Sequence, residues 1–360
     1  MRAAVLQSTD DDKIVIRDDV QAIGPGPGQV RIRVRAAGVC HSDLSARTGA
    51  LPQPMPAILG HEAAGDVIAV GDGVTGLAVG DRVIANWLPP CGTCSCCVRG
   101  EPYLCLTHVI AAYLEPRFLV GDVPAFGFGG CGAFAEEMVL PESGAVRIPA
   151  DVPYEIGALV GCGVMTGVGA VINTARVEPG ATVAVIGCGG VGIAAIQGAR
   201  LSGASVIVGV DTVAAKHPVA RRFGATHAVR PDQLAGLAAE LTGGDGFDYA
   251  FEVVGTPETI RAAWAAARRG GTVVIVGAGR ADRQVEFTPF ELLFDGKQML
   301  ASLYGSADVV RDFPRLISLW RAGRLDLEGM ITQRLALDDV DAAVAALGQG
   351  EVVRQVVIYD

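Results

Sequence analysis

The sequence predicts an α/β protein made of two unlike parts, one β-rich and one doubly wound. Three observations carry that prediction. Residues 30–35 read Val-Arg-Ile-Arg-Val-Arg, a strict alternation that marks a strand with one buried face. Short apolar runs at 3–6, 14–16, 67–70 and 83–85 are separated by Gly, Asp and Pro, the spacing of an antiparallel sheet or barrel. After Pro179-Gly180 the texture changes. Apolar runs at 183–186, 206–210, 249–254, 273–276 and 299–303 alternate with alanine-rich stretches such as 261–269. Strand–helix–strand alternation predicts a parallel sheet covered on both faces, wound by right-handed crossovers. Helices are expected at 309–321 and 340–347 and a last strand at 355–359.

Length and composition bound the function. A chain of 360 residues accommodates roughly two domains. With 50% apolar and 19% charged residues it is neither disordered nor in need of disulfide staples. It has 39 acidic against 29 basic residues, only three lysines (Lys13, Lys216, Lys297) and no basic run, which excludes a nucleic-acid partner. The short apolar run before the first charges is too brief for a signal peptide, so a cytoplasmic protein is expected. Two charge-poor windows, 156–175 and 179–199, have the length of a membrane span. Their glycines predict turn-linked pieces instead, and no membrane span is expected.

The glycine motif is the first chemical signal. Gly187-Cys188-Gly189-Gly190-Val191-Gly192 follows the run 183–186 and opens an alanine-rich helix. Gly187 serves the tight turn, Gly189 lets backbone approach a pyrophosphate, and Gly192 allows close helix–strand packing. Phosphate charge then meets the positive end of the helix dipole. Asp211 ends the next strand, where a carboxylate accepts from a ribose diol and repels a 2′-phosphate. This predicts NAD(H) over NADP(H). A flavin site or a cradle without ligand is the competing reading.

The nine cysteines are the second signal. Cys91, Cys94, Cys97 and Cys105 are spaced C-x2-C-x2-C-x7-C in a Pro/Gly-rich stretch. Four thiolates so close together can close a tetrahedral structural zinc; an iron–sulfur cluster is the alternative. Cys96 breaks the spacing and is read as a bystander. A dispersed set comprises Cys40-His41-Ser42-Asp43, Gly60-His61-Glu62 and Gly161-Cys162-Gly163. Two Cys and one His suit a catalytic zinc with one open position, although each residue alone is as consistent with ordinary core packing.

These motifs, in this order over essentially the whole chain, resemble the zinc-dependent medium-chain alcohol dehydrogenase family. The two-Cys, one-His ligand set is the general example for that enzyme class. The resemblance implies a β-rich, GroES-like catalytic domain at 1–162 with a structural zinc lobe at 88–106. An inserted, doubly wound Rossmann domain would follow at 163–302, and 303–360 would return to the catalytic domain, with the active site in the cleft. Cys40, His61 and Cys162 would hold the catalytic zinc, with Glu62 as an alternative ligand during exchange. Asp43 would orient His61, and Ser42 would accept the substrate proton. His41 and Arg354 would bind the cofactor pyrophosphate, Asp211 and Lys216 the adenosine ribose. Val191 would press on the nicotinamide, and Trp87 would line the substrate pocket.

The implied protein is an NAD-dependent, two-zinc enzyme, a homodimer, that interconverts a primary or aromatic alcohol and its aldehyde. Many members carry a histidine three residues after the serine; here Ser45 stands there, which leaves the proton's exit route open. The long segment 106–130 resembles the dimeric branch and would also shape the pocket. His41 and Ser302-Leu303-Tyr304-Gly305-Ser306 resemble the thiol-adduct (formaldehyde) class and its actinobacterial-type relatives. The loop 44–60 lacks the acidic residues with which that class holds its thiol carrier, so this is the runner-up, beside a dehydrogenase with tightly held NAD(H). Two readings of other kinds are a zinc-stabilised binding or redox-sensing protein and a zinc-free quinone or enone reductase. Pro218, just after the ribose-binding segment, predicts a helix start or a kink.

Overall fold

A computed structural model describes residues 1–11, 13–350 and 352–360. The chain divides into two compact units, Met1–Gly163 with Asp308–Asp360, and Val164–Ala307.

The first unit is organised around the strand Gln29–Val39. Val30, Ile32 and Val34 are at most 1% exposed, while Arg31 and Arg35 on the opposite face pair with Glu137 and Asp66 of neighbouring strands. The strand lies antiparallel to Glu62–Val70 on one side and to Arg354–Ile358 on the other. Its register places Gly38 opposite both Glu62 and Val356. That register brings Cys40, His61-Glu62 and Arg354, far apart in the chain, to one end of the sheet. A second sheet includes Ala3–Leu6, Phe118–Val120 and Val123–Gly127.

The second unit holds a six-stranded sheet, every neighbouring pair parallel. Numbered in chain order, its strands are Thr182–Ile186, Val206–Val210, His227–Val229, Phe247–Glu252, Ala267–Ile275 and Gln298–Ala301, and they lie in the order 3-2-1-4-5-6. The order reverses between strands 1 and 4, the place where sheets of this kind bind ligands beyond their carboxyl ends. Some boundaries differ from those predicted. The fourth strand ends at Glu252 because Gly255, at φ 93°, turns the chain. The helix predicted over 261–269 is Pro257–Ala266, since Ala267 pairs with Phe247 and the next strand claims the remainder.

The window 156–175 is not broken by its glycines. It belongs to one helix, Tyr154–Ala175, long and apolar enough to cross a membrane, yet 83% of its most apolar stretch is buried within the protein. Here glycine provides close approach rather than a turn. A Cβ on Gly157 would stand 2.9 Å from that of Ala64, and one on Gly167 would stand 2.7 Å from that of Ala194.

Candidate active site

Cys40 follows the central strand and is the N-cap of the helix His41–Arg47. Asp43, in the first turn of that helix, is completely buried and organises what surrounds it. One of its oxygens accepts from the backbone N–H of Cys40 at 2.9 Å. The other accepts from the Gly60 N–H at 2.9 Å and lies 3.3 Å from His61 Nδ1. A single carboxylate therefore positions both motifs and holds the His61 ring by Nδ1, which leaves Nε2 as the ring's candidate metal-ligand atom. Burial works against a charged His61 ring, but Asp43 and the Cys40 sulfur outweigh it and raise the ring's basicity.

Cys162 reaches the same point from the long helix, within a π-helical turn at Val160–Val164. Such widened turns are frequent at functional sites. Cys40, His61, Glu62 and Cys162 are all buried, and each offers a ligand atom within 4.8 Å of the others. The Cys40 thiol is held well below its ordinary range by its hydrogen bond with Cys162 and by His61, while Cys162 is pushed up. One Glu62 oxygen pairs with Arg354; the other is buried with no hydrogen-bond partner among the described residues. Burial pushes the Glu62 carboxyl up to about 7, against the pull of the Arg354 guanidinium. Two thiols, one imidazole and an orphaned carboxylate oxygen form a donor set that fits zinc. Space behind them depends on two glycines. A side chain at Gly38 would collide with the Glu62 carboxylate, and a Cβ at Gly163 would stand 2.8 Å from the Arg354 guanidinium.

The other four cysteines are gathered locally. Cys91, Cys94, Cys97 and Cys105 also place their sulfurs within 4.8 Å of one another, and Cys96 is not of the group. Around a single zinc with bonds of about 2.3 Å, tetrahedral sulfurs stand ~3.8 Å apart, so this spread suits one ion. The Cys91 sulfur accepts from the Cys94 N–H at 3.3 Å and from Thr93 Oγ1 at 3.6 Å. Hydrogen bonds led by those of Thr107 and Thr93 hold its thiol down to about 5.

In the second unit, Gly187 takes φ 102° directly after the first strand, and Gly189 caps the helix Gly190–Leu201. The space above Gly189 is open, whereas a side chain at Gly192 would strike the Gly187 carbonyl. Asp211 accepts from the Cys188 N–H at 2.8 Å and the Val213 N–H at 2.9 Å, with Lys216 Nζ at 3.3 Å. Lys216 starts the helix Lys216–Phe223, so Pro218 sits in a first turn and no kink results.

The remaining predicted residues are placed as follows. Ser42 Oγ lies 3.8 Å from Cys40 Sγ, His41 is exposed, and Val191 is half-buried at the start of its helix. Arg354, expected at a pyrophosphate, is 3% exposed and holds Glu62. Trp87 stands edge-on to the His61 ring at 6.2 Å between centroids. Phe128 does the same at 5.2 Å, and the sequence reading missed it. Its only signal was its position in the long apolar segment 106–130. Gly129, at φ 60°, brings that segment onto the imidazole, where a Cβ would stand 3.2 Å from His61 Cβ.

Comparison with known proteins agrees with this arrangement. Residues 26–150 match the alcohol dehydrogenase GroES-like domain and residues 190–321 the zinc-binding dehydrogenase domain. An S-(hydroxymethyl)glutathione dehydrogenase of Paracoccus denitrificans is 37% identical over 359 residues, covering 95% of each chain. The crystal structure of benzyl alcohol dehydrogenase from Acinetobacter calcoaceticus superposes with a TM-score of 0.92 at 28% identity, covering 100% of this chain and 99% of that one. A putative zinc-binding dehydrogenase of Sinorhizobium meliloti 1021, solved bound to NADP, gives 0.79 at 29% identity with 99% of each chain covered.

Proposed function

Given that the chain belongs to the zinc-dependent medium-chain alcohol dehydrogenase family, we propose that it oxidises a primary or aromatic alcohol to its aldehyde with NAD+ and catalyses the reverse reaction with NADH. The convergence of Cys40, His61, Cys162 and Glu62 in one buried group carries this reading. Cys40, His61 and Cys162 would hold the catalytic zinc, Glu62 would serve as its alternative ligand, and the lobe cysteines would hold the structural zinc. When bound, zinc supplies Lewis acidity that makes an alcohol proton easier to lose, and the nicotinamide accepts the hydride.

The chain's own residues do the rest. Asp43 holds His61 and the Cys40 backbone in register. Ser42, beside Cys40, accepts the alcohol proton while passing its own hydroxyl proton onward, so it relays the proton and is not its final base. Arg354 keeps one oxygen of Glu62 engaged and leaves the other free. The Trp87 and Phe128 rings wall the imidazole with apolar surface, which favours aryl or alkyl substrates over charged ones. In the second unit Gly187, Gly189, Gly190, Val191 and Gly192 cradle the dinucleotide, and His41 is a cofactor-binding residue of the first unit. Asp211 and Lys216 take the adenosine ribose. Asp211→Ala then relaxes the preference for NAD+ over NADP+ by about tenfold or more, read as the ratio of kcat/KM values; an unchanged ratio removes Asp211 from the ribose site.

A homodimer is part of the proposal. The strand Gln298–Ala301 is an open edge of the parallel sheet. The neighbouring helix Pro289–Asp295 exposes Phe290 and Leu293 and stacks Phe290 on Phe294. Bare edges and apolar patches of this kind are usually covered.

The Paracoccus denitrificans relative supports a second reading, a dehydrogenase of thiol–formaldehyde adducts. A panel of benzyl alcohol, short primary alcohols and formaldehyde, with and without glutathione, separates the two. Turnover of benzyl alcohol without thiol sustains the first; formaldehyde oxidation only with glutathione sustains the second. No NAD-linked turnover in protein carrying two zinc ions per chain would defeat both.

A further inference from the structure

Glu252 is the last residue of the fourth strand in the nucleotide-binding unit, on the side of the sheet's reversal opposite the glycine cradle. It is completely buried. Its Oε1 accepts three hydrogen bonds, from the Val254 N–H at 2.8 Å, the Gly255 N–H at 2.7 Å and the Thr259 hydroxyl at 2.7 Å. Its Oε2 is buried without a hydrogen-bond partner among the described residues. A carboxylate half-satisfied in this way is a poor device for stability, because the unpaired oxygen carries its full desolvation penalty. What its partners hold in place is more informative.

The turn that Glu252 binds lies against Gly187, the first glycine of the cradle. A Cβ on Gly187 would stand 2.9 Å from Val254 Cγ2 and 3.5 Å from the Val253 carbonyl. Val253 also donates to the carbonyl of Ile186, the residue before Gly187. On its other side the turn packs backbone to backbone with the loop after the fifth strand. Cβ atoms on Gly255 and Gly279 would stand 2.8 Å from Ala278 C and 2.6 Å from the Gly255 carbonyl oxygen. One carboxylate oxygen thus sets the height of a turn wedged between two loops at the sheet's reversal, where a dinucleotide would lie.

We propose that Glu252 is a positioning residue for the dinucleotide: by fixing the Val253–Gly255 turn against Gly187, it governs cofactor affinity without touching the cofactor. The proposal rests on the dehydrogenase reading above.

The test uses the full-length zinc-loaded protein and measures NADH binding by fluorescence, KM for NAD+, KM for alcohol, kcat, zinc content and thermal melting. Glu252→Ala weakens NADH binding and raises KM for NAD+ by about tenfold or more, since a displaced wall misplaces the ligand, while KM for alcohol and zinc content stay constant. Glu252→Gln keeps an acceptor oxygen of the same reach and restores binding to within about threefold of wild type. If the alanine variant does not fold, Glu252→Asp, whose shortened carboxylate cannot reach all three donors, carries the same readout. A folded alanine or aspartate variant with wild-type affinity and KM overturns the proposal, even if it melts earlier, because a purely structural role lowers the active fraction and kcat alone. A glutamine variant as weak as alanine also overturns it. Failure of the wild-type protein to bind NADH overturns the dehydrogenase reading instead.

Discussion

Two groups of four potential ligands occupy the same β-rich unit and are built in opposite ways. The lobe takes Cys91, Cys94, Cys97 and Cys105 from a span of fifteen residues, three of them half-buried, and its supporting hydrogen bonds are local N–H and O–H donors to sulfur. The Cys40 group takes its members from two strand ends and a helix, buries all of them, and supports them with charged groups, Asp43 and Arg354, that are themselves buried. A local cluster of four thiolates is chemically complete and needs no more than a loop to hold an ion. A dispersed group that includes a carboxylate with an unpaired oxygen keeps one donor in reserve, which suits a ligand shell that must change during a reaction.

That contrast can be broken or sharpened by experiment. The largest effect is expected for Cys162→Ala. It should lose one of two zinc ions per chain and reduce kcat/KM by about 10³-fold or more, since Lewis acidity contributes several kcal/mol, with little change in melting. Near-normal turnover would remove Cys162 from the site. Asp43→Asn comes next. Loss of the charge behind His61 should lower zinc retention and activity by about 10–100-fold; equal activity with full zinc would show that the carboxylate merely ties backbone. Cys94→Ala should act on stability instead, lowering it by about 1–3 kcal/mol and the melting temperature with it, while kcat per folded, singly loaded subunit stays near wild type. A kinetic defect at unaltered melting would erase the distinction between the two groups. Cys96→Ser should change neither zinc content nor melting; loss of the lobe's metal would make Cys96 a ligand after all.

The lobe was legible because its information is sequential: four cysteines at short spacing can meet whatever the remainder of the chain does. The glycine cradle was legible for the same reason, with strand, turn and helix consecutive from Thr182 to Leu201. The Cys40 group was recognisable only as a family resemblance, since no spacing rule relates residues 40, 61 and 162. Phe128 was not singled out for the site at all, and Gly38 and Gly163 entered only as flanks of the cysteine motifs, with no role of their own. Their importance lies in which side chain stands within 3–5 Å of them, and that depends on register and on the path of a long loop.

Composition, alternation and consecutive turns determined by themselves that this is a two-part α/β protein, because periodicity acts over a few residues; the alcohol dehydrogenase kind came from the family resemblance that the ordered motifs carry. Tertiary structure decided the rest. Pairing Gly38 with both Glu62 and Val356 carried Arg354 to Glu62. A charge buried at 3% exposure must find its counter-charge among whatever the sheet brings alongside, and only the folded register says what that is.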